Sequence, residues 1–384
     1  MTHNVVVLGA GYSGLPAAKR LARQVYPGEV TVTLVTAFPD FVERPRLHQL
    51  ATGQRVTRTS IASYLGDSGV RLVVGAATGI DHTRRTVTVA SGAGRQEVGY
   101  DTLIYALGSN IDATAVPGIA ANAYSLTGID AALDLQPRLR ALAGDAGRVV
   151  VCGGGLTGLE TAAEVAERYP SLDVSLVTAG TPGGWLSAKG QRYLHDVVVD
   201  LGVTVHADTR VTDVEDGKLL FDRSALPFDL CLWAGGFRVP RLARDSGLAV
   251  NADGRALVDS TLRSLSHRDV YVIGDSAAIA GHWGSALAMG CRTGGFTGPY
   301  VADAVAARLA GRTPRPFSYR YFHECISLGR RRGLIQFLNA DESPKSHVLT
   351  GRAAIGYKNT TLGAVRMFFR WPGPYPAHRR HATA

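Results

Sequence analysis

Cysteine and charge are both scarce in this sequence. Its four cysteines are scattered, with no CxxC motif and no close pair: Cys152, Cys231, Cys291 and Cys325. This spacing excludes a disulfide-scaffold protein, and it excludes a zinc site recognisable from closely spaced cysteines. Charged residues make up 19% of the chain, whereas hydrophobic residues make up 46%. A composition this apolar excludes an intrinsically disordered chain, which has too little apolar surface to bury.

Targeting and membrane-spanning segments are also missing. The chain runs from Met1 almost directly into the apolar residues 5–8, without the basic segment and longer apolar stretch of a signal peptide. No apolar run is long enough to span a bilayer. We therefore expect a cytoplasmic protein, with association to the cytoplasmic face of the membrane as an alternative.

Glycine and positive charge are in excess. The 384 residues include 45 glycines, and the formal net charge is +9. Glycine usually makes up about 7% of a protein, so this excess favours the tight turns and close backbone approaches of nucleotide-binding α/β proteins. The positive charge favours anionic ligands or anionic lipid, but it suits a soluble protein without an acidic partner equally well. The sequence contains no aromatic-basic module that would indicate nucleic-acid binding.

The first glycine-rich motif lies between a predicted strand and a predicted helix. Residues 4–8 form an apolar run of strand length, residues 9–14 read GAGYSG, and residues 15–24 have a helical pattern. This context is the one that a dinucleotide-binding fingerprint requires. One glycine allows the tight turn, a second lets the backbone approach a pyrophosphate, and a third lets the helix pack on the strand. A strand predicted over residues 30–35 completes the βαβ unit.

The same pattern returns in the middle of the chain. Residues 148–151 predict a strand, residues 152–158 read CGGGLTG, and a helix is predicted to run to Arg168. A further strand is predicted over residues 174–177. One GxGxxG motif is weak evidence, but two in the correct context at domain-sized spacing predict two dinucleotide sites.

A third segment links the two sites. Residues 269–275 (DVYVIGD) predict a buried strand that ends in Gly-Asp. With residues 100–109 (YDTLIYALGS) and 232–236 (LWAGG), the motif order resembles that of two-dinucleotide-domain flavoproteins of the pyridine nucleotide–disulfide oxidoreductase superfamily. The resemblance implies that Asp275 bonds the ribityl chain of FAD. It also implies that residues 100–109 leave the FAD domain and that residues 232–236 leave the NAD domain.

The branch of this superfamily is indicated by the positions of the cysteines and by three segments outside the motifs. Disulfide reductases of the superfamily carry a redox cysteine pair, usually in the N-terminal domain, and no cysteine precedes Cys152 here. The sequence instead resembles the type II NADH dehydrogenase-like and apoptosis-inducing-factor-like branch, in which flavin alone carries electrons. Three segments carry this resemblance: residues 41–53 (FVERPRLHQLATG) along the flavin ring, residues 291–303 (CRTGGFTGPYVAD) near its pyrimidine edge, and residues 327–330 (SLGR) in the C-terminal domain.

Two positions depart from the usual dinucleotide pattern. Thr36 and Thr178 stand where an acid usually binds the adenosine ribose. At the first site Arg44 or Arg46 is the candidate to contact phosphate or ribose instead. The second site lacks both the acid that disfavours NADPH and a nearby arginine for the 2′-phosphate, so the donor stays open between NADH and NADPH. Residues 285–293 (SALAMGCRT) also lack the quinone-contacting AQxAxQQ pattern of type II NADH dehydrogenases, which leaves the acceptor open.

The candidate site residues come from these motifs. Glu160 is the candidate catalytic residue, because the resemblance places a glutamate near the nicotinamide. The alternative is that Thr157 and Glu160 form a capping box. No metal site is expected. The candidate cofactor-binding residues are Gly9, Gly11, Tyr12, Ser13, Gly14, Thr36, Arg44, Pro45, Ala106, Gly108, Gly153, Gly155, Thr157, Gly158, Thr178, Gly235, Gly274, Asp275 and Thr297.

Residues 358–371 (KNTTLGAVRMFFRW) interleave arginine with large apolar residues. This pattern suits a helix at a membrane interface. Packing in the core or in a homodimer is the alternative explanation.

We therefore predict an α/β protein with two Rossmann-like doubly wound domains and a small C-terminal α+β domain. The FAD domain is predicted at 1–112 and 237–315, the NAD(P) domain at 113–236 and the C-terminal domain at 316–384. The predicted reaction is hydride transfer from NADH or NADPH to FAD, followed by electron transfer to a separate small-molecule acceptor. The alternative is a flavoprotein whose second site no longer binds nicotinamide. It would be a sulfide-oxidising enzyme with persulfides on Cys291 or Cys325, or a redox-regulated interaction protein.

Overall fold

The N-terminal part of the chain forms a parallel sheet with an antiparallel meander inserted in it. A computed structural model describes residues 2–222, 224–374 and 381. The first elements are β1 (His3–Leu8), α1 (Gly14–Ala22), β2 (Val30–Thr36), α2 (Leu47–Ala51), α3 (Ile61–Leu65), β3 (Arg71–Val74), β4 (Ala76–Asp81), β5 (Thr86–Ser91), β6 (Gly94–Gly99), β7 (Thr102–Tyr105) and β8 (Asn110–Ile111). Strands β3, β2, β1 and β7 pair in that order, all parallel, while β4 to β6 form the meander.

The middle of the chain repeats this arrangement. Its elements are α4 (Ile119–Asn122), α5 (Ile129–Gly144), β9 (Arg148–Cys152), α6 (Leu156–Arg168), β10 (Asp173–Val177), α7 (Ala188–Asp200), β11 (Thr204–His206), β12 (Asp213–Glu215), β13 (Lys218–Phe221), β14 (Ser224–Pro227) and β15 (Leu230–Trp233). The parallel order β11-β10-β9-β15 matches β3-β2-β1-β7, and β12 to β14 form the corresponding meander. The chain thus contains two Rossmann-like units, here called the first unit and the second unit.

The chain then returns to the first sheet. The next elements are β16 (Phe237–Arg238), α8 (Leu242–Asp245), β17 (Ala256–Leu257), β18 (Val270–Val272), β19 (Ala277–Ala278) and α9 (Cys291–Leu309). Strand β18 pairs parallel with β7 and gives the first sheet its fifth strand. The first sheet is therefore built from two separate stretches of chain, on either side of the second unit.

The last part of the chain is a small antiparallel sheet covered by a helix. It contains β20 (His323–Leu328), β21 (Arg332–Leu338), β22 (Pro344–Thr350) and α10 (Gly351–Arg370). Ile326, Leu328 and Leu334 of this sheet lie in the same apolar core as the second unit. Phe369, near the end of α10, lies instead in the core of the first unit. The C-terminal part therefore packs against both units, and the predicted fold class is confirmed.

Several predicted element boundaries shift. Strand β18 is shorter than predicted, because Gly274–Ser276 forms a 3-10 turn. Helix α10 begins at Gly351 rather than at residue 358, and it buries Leu362 and Phe369. Residues 375–380 and 382–384 of the predicted C-terminal domain lie outside the described residues.

None of the helices in the described ranges has the length and apolar character needed to cross a membrane.

Candidate functional site

The first glycine loop is shaped by collisions that only glycine avoids. Gly9 has a positive φ of +97°, and a Cβ there would collide with the carbonyl oxygen of Ala106. A Cβ on Gly14 would collide with the carbonyl oxygen of Gly9, so Gly14 lets α1 pack closely on β1. A Cβ on Gly11 would meet no heavy atom within 4 Å. The loop is therefore tight on the protein side and open on the side from which a pyrophosphate would approach.

The second glycine loop has the same construction. Gly153 has a φ of +126°, and a Cβ there would lie 2.8 Å from the backbone nitrogen of Gly235. A Cβ on Gly158 would collide with the carbonyl oxygen of Gly153, whereas one on Gly155 would meet nothing within 4 Å. Both loops precede the N-terminus of a helix, where free N–H groups favour phosphate. The residues present therefore fit two bound dinucleotides.

The strand ends beside these loops carry neutral hydroxyls. Thr36 is buried, and its Oγ1 donates to the carbonyl oxygen of Phe38 at 3.1 Å. Thr178 is also buried and lies against Gly154, whose added Cβ would collide with Thr178 Oγ1. Thr157 lies in the first turn of α6, where its carbonyl oxygen accepts a hydrogen bond from Thr161 Oγ1 at 2.6 Å. At neither strand end does the threonine supply a negative charge.

Asp275 anchors a set of residues from distant parts of the first unit. Its Oδ2 accepts a hydrogen bond from Ser109 Oγ at 2.6 Å, and its Oδ1 accepts one from the N–H of Gly290 at 2.7 Å. The neighbouring Gly274 donates its N–H to Thr297 Oγ1 at 3.1 Å. The crossover that contains Ala106 and Gly108 joins the same place, because the carbonyl oxygen of Gly108 accepts from Ser276 Oγ at 3.0 Å. The structure thus brings together the residues predicted to lie along the flavin and its ribityl chain.

Residues of the first loop and the following turn line the same region. Ser13 is buried, with its Oγ at 2.6 Å from the position of a Cβ on Gly274. The ring of Tyr12 packs edge-on against Phe41, with centroids 5.2 Å apart. Arg44 and Pro45 lie in a 3-10 turn, and Arg44 Nη2 donates to Asn110 Oδ1 at 2.9 Å.

Arg46 contacts helix α10 and Glu43. Its Nη2 donates to Asn359 Oδ1 of α10 at 2.9 Å, and its Nε lies 3.4 Å from a carboxylate oxygen of Glu43. Of the two arginines considered from the sequence, Arg44 is the exposed one, and both stay candidates for contacting the dinucleotide.

Four buried polar residues from the three parts of the chain meet in one place: His48, Glu160, Ser327 and Lys358, here called the inter-domain cluster. The Lys358 ammonium pairs with Glu160 Oε1 and donates to Ser327 Oγ at 2.9 Å. Ser327 donates to Glu160 Oε1 from its backbone N–H at 2.8 Å and from its hydroxyl at 2.9 Å. His48 Nε2 lies 3.2 Å from Ser327 Oγ.

The alternative of a capping box at Thr157 and Glu160 is wrong. The N-cap of α6 is Gly155, and no side chain caps the helix. Glu160 lies beyond the first turn, and its carboxylate is directed to Ser327 and Lys358 instead. A buried carboxylate needs charged or hydrogen-bonding partners, and the C-terminal sheet and helix supply them.

The proton positions in the inter-domain cluster follow from its donors and acceptors. Burial alone would raise the pKa of Glu160, but the charge of Lys358 and the donors around the carboxylate hold that pKa below its ordinary value. Burial lowers the pKa of His48, which is therefore neutral at pH 7. Because the Ser327 hydroxyl donates to Glu160, His48 must carry its proton on Nε2 to bond Ser327 Oγ.

Two thiols border this cluster. Cys291 begins α9 and is open to solvent, yet the surrounding protein desolvates its thiol and raises its pKa. Burial raises the pKa of Cys325 to about 12. Cys291 directly follows Gly290, whose N–H donates to Asp275, and Cys325 lies on β20 with Ser327. Both thiols stay protonated at neutral pH, and a thiol is a poor nucleophile.

Sequence reasoning missed three members of the inter-domain cluster as functional residues: His48, Ser327 and Lys358. One signal for Lys358 was available. Ala354, Lys358 and Leu362 follow one another at intervals of four, so the lysine lies on the buried face of α10. The partners of His48 and Ser327 are too far away in sequence for any local pattern to reveal them.

The fold and the site together define a two-dinucleotide α/β oxidoreductase. The family model described as pyridine nucleotide-disulphide oxidoreductase matches residues 3–290, and the chain belongs to this family. An enzyme of this family with these two loops is an FAD-dependent oxidoreductase that uses a nicotinamide coenzyme.

Two curated relatives come from Mycobacterium tuberculosis. An NADH dehydrogenase-like protein is 31% identical over 319 residues, which cover 77% of this chain and 78% of the relative. A type II NADH:quinone oxidoreductase is 28% identical over 367 residues, which cover 83% of this chain and 76% of the relative. Among solved structures, NDH2 from Plasmodium falciparum in complex with NADH aligns with a TM-score of 0.82 at 14% identity, covering 98% of this chain and all of that one (100%). That structure supports the fold.

Proposed function

We propose that this chain oxidises NADH or NADPH at the second unit and passes the electrons through FAD to a quinone or another small-molecule acceptor. The observation that carries the proposal is the inter-domain cluster. It joins a helix of the second unit, through Glu160, to His48 of the first unit and to Ser327 and Lys358 of the C-terminal part. The mycobacterial relatives, an NADH dehydrogenase-like protein and a type II NADH:quinone oxidoreductase, support a nicotinamide donor, and the second supports a quinone acceptor.

The domain assignment follows the two sheets. We assign FAD to residues 1–112 and 237–315, the coenzyme to residues 113–236, and the cover of the site to residues 316–384. The open sides of Gly11 and Gly155 would receive the two pyrophosphates. Asp275 keeps its carboxylate in place through Ser109 and Gly290, where it can accept from a ribityl hydroxyl.

When bound, FAD supplies the redox chemistry, accepting a hydride and releasing two electrons. The chain contributes position and charge. Glu160 and Ser327 hold the Lys358 ammonium in a fixed orientation, so that a positive charge faces the region where negative charge develops during electron transfer. Burial of the cluster excludes water and strengthens that interaction. Neither Cys291 nor Cys325 needs to react, and their raised pKa values count against the persulfide alternative.

The test is an anaerobic titration of the purified protein with NADH and with NADPH, monitored by the visible absorbance of the flavin. We expect at least one coenzyme to bleach the flavin. Gly11→Glu should lose bound flavin, because the carboxylate enters the open side of the first loop. Gly155→Glu should keep the flavin but lose its reduction. Gly28→Glu is the matched control, since Gly28 is exposed and equally open but remote from both loops.

Two outcomes would contradict the proposal. A flavin that neither coenzyme bleaches would make the second unit a structural domain. A colourless protein that takes up no added FAD would remove the basis of the proposal altogether.

A further inference from the structure

The ends of the second strands are connected in the same order in the two units, although the turn in the second unit contains one more residue. In the first unit, the N–H of Gly9 donates to the carbonyl oxygen of Val35 at 2.8 Å, and the N–H of Gly75 donates to that of Thr36 at 2.7 Å. In the second unit, the N–H of Gly153 donates to the carbonyl oxygen of Val177, and the N–H of Thr209 donates to that of Thr178, both at 2.8 Å. Thr178 thus corresponds to Thr36, and Thr209 corresponds to Gly75. Ala76 and Arg210 follow these two residues directly in the chain, beside the edge strand of each sheet.

The two units differ at that edge in charge. The first unit presents the methyl group of Ala76, whereas the second presents the exposed Arg210. Within the described ranges, Arg210 has no ion pair with a carboxylate. Asp208 in the same turn is exposed and does not pair with it. The sequence alone indicated that no arginine lies near Thr178, because Arg210 is far from it along the chain. The hydrogen bond from the N–H of Thr209 to the carbonyl oxygen of Thr178 places Arg210 next to a residue that contacts Thr178.

This edge is where the adenosine ribose of a dinucleotide lies in a Rossmann unit. An acid at the end of the second strand binds the ribose hydroxyls of NAD and repels the 2′-phosphate of NADP, whereas an arginine accommodates that phosphate. Thr178 supplies a hydroxyl without charge, directly beside the glycine loop at Gly154. A guanidinium on the neighbouring turn can pair with a phosphate through charge-assisted hydrogen bonds.

We propose that the second unit accepts the 2′-phosphorylated coenzyme, NADPH, at least as readily as NADH, and that Arg210 is the residue that determines this specificity. The inference rests on the proposed function and adds the coenzyme class to it. Thr178 permits the 2′-phosphate, and Arg210 attracts it. The first unit lacks a cation at the corresponding position, as suits FAD, whose adenosine carries no 2′-phosphate.

The experiment compares flavin reduction by NADPH and by NADH in rapid anaerobic mixing. For Arg210→Ala we expect kcat/KM with NADPH to fall about tenfold, mainly through KM, because one charge-assisted hydrogen bond is lost. The value with NADH should change by less than about twofold, since an exposed surface substitution has little effect of its own. Inhibition by adenosine 2′,5′-bisphosphate should weaken in parallel, while inhibition by adenosine 5′-monophosphate should not.

Two further variants make the result specific. Arg95→Ala removes the same charge from an exposed position on β6, far from the second unit, and should leave both coenzymes unaffected. Thr178→Asp restores the acid at the strand end and should abolish the use of NADPH while retaining NADH.

The outcomes separate this inference from the proposed function. If NADH reduces the flavin and kcat/KM with NADPH is more than about tenfold lower, a difference of about 1.4 kcal/mol, the inference is overturned. The proposed function would then stay intact. Reduction by neither coenzyme would overturn both. If the wild type uses NADPH efficiently, but Arg210→Ala lowers kcat/KM with NADPH no more than Arg95→Ala does, Arg210 does not determine the coenzyme specificity.

Discussion

Lys358 is a charged side chain in an almost fully buried position. Its ammonium depends on Glu160 and Ser327 for compensation, and Glu160 depends on it in turn. Breaking a buried pair by removing one partner costs more than replacing both, because the remaining charge is left without compensation. Glu160 and Lys358, which we propose to act in electron transfer, therefore also contribute to the stability of the fold.

The first prediction concerns this pair. Glu160→Gln should lower the free energy of unfolding by about 3 kcal/mol, because a buried ammonium loses its counter-charge. The double variant Glu160→Gln with Lys358→Met should recover most of that loss. Urea unfolding measures both. Glu97→Gln is the control, since the Arg84–Glu97 pair is exposed and its loss should change stability little. Equal losses in the single and double variants would contradict this interpretation.

His48 predicts a dependence of stability on pH. Burial lowers its pKa from the ordinary 6.5, so the folded chain binds fewer protons than the unfolded chain. Stability should therefore fall as the pH drops below about 6.5. The lowered pKa of Glu160 acts in the same direction at lower pH, below its ordinary value of 4.5.

The glutamine in His48→Gln keeps a donor for Ser327 but does not titrate. The unfolding free energy of this variant should therefore fall less between pH 7 and pH 5.5 than that of the wild type. Other histidines with lowered pKa values, among them His3 and His323, remain in both proteins and form a common background. Parallel pH curves for the variant and the wild type would assign the effect to those histidines instead.

At the residue scale, what could be predicted from the sequence depended on distance along the chain. Gly14 and Gly158 act through Gly9 and Gly153 of the same βαβ unit, so a local motif reveals them. Glu160 was found from the same motif, but its partners Ser327 and Lys358 come from the end of the chain. Sequence reasoning therefore named Glu160 as a candidate catalytic residue with a local cap as the alternative, and the tertiary contact overrides the cap.

At the scale of elements, α1 and β1 show how closely a helix can approach a strand. The approach requires glycine at position 14, where a Cβ would collide with the carbonyl oxygen of Gly9. Gly11, three residues earlier, has open space.

We predict that Gly14→Ala lowers the free energy of unfolding by about 2 kcal/mol, because the added methyl overpacks the junction. Gly11→Ala should change it by no more than about 0.5 kcal/mol. Thermal unfolding of the two variants checks this difference, and the content of bound flavin should fall with Gly14→Ala. If both variants unfold like the wild type, α1 does not depend on this contact.

Helix α10 divides its large residues between two environments. Phe369 packs edge-on against Tyr12, Phe41 and Tyr64 in the first unit. Lys19 Nζ fixes the helix end by donating to the carbonyl oxygen of Arg370 at 2.8 Å. Met367 and Trp371 are 60% and 68% exposed. The pattern that suggested an interfacial helix thus contains both a core residue and an exposed pair.

We propose that Met367 and Trp371 contact a membrane surface, which would give a quinone acceptor access to the site. The double variant Met367→Ser with Trp371→Ser should reduce co-sedimentation with anionic vesicles several-fold, because two apolar anchors are lost. Leu265→Ser, which changes a leucine that is 62% exposed elsewhere, is the control. A wild type that does not sediment, but dimerises through these residues, would support the homodimer alternative.

At the scale of the whole molecule, the chain leaves the first sheet, completes the second unit and returns to add β18 beside β7. Sequence reasoning reached this topology because the two glycine motifs and the Gly-Asp motif occur in a recognisable order. It could not reach the packing of the C-terminal sheet on the second unit, or of Phe369 on the first. Those contacts depend on shape complementarity between distant surfaces, which no local pattern encodes.

The inter-domain cluster also has a consequence for synthesis. Proteins are made from the N-terminus, and domains fold as they emerge from the ribosome. Glu160 can be enclosed early, yet its ammonium partner on Lys358 is added almost 200 residues later, at a sequence separation of 198. Until then the carboxylate has no counter-charge, and water must solvate it. A chain interrupted before residue 358 would contain both nucleotide loops, but the junction between them would stay open and hydrated. The inter-domain cluster can therefore form only after translation has passed residue 358.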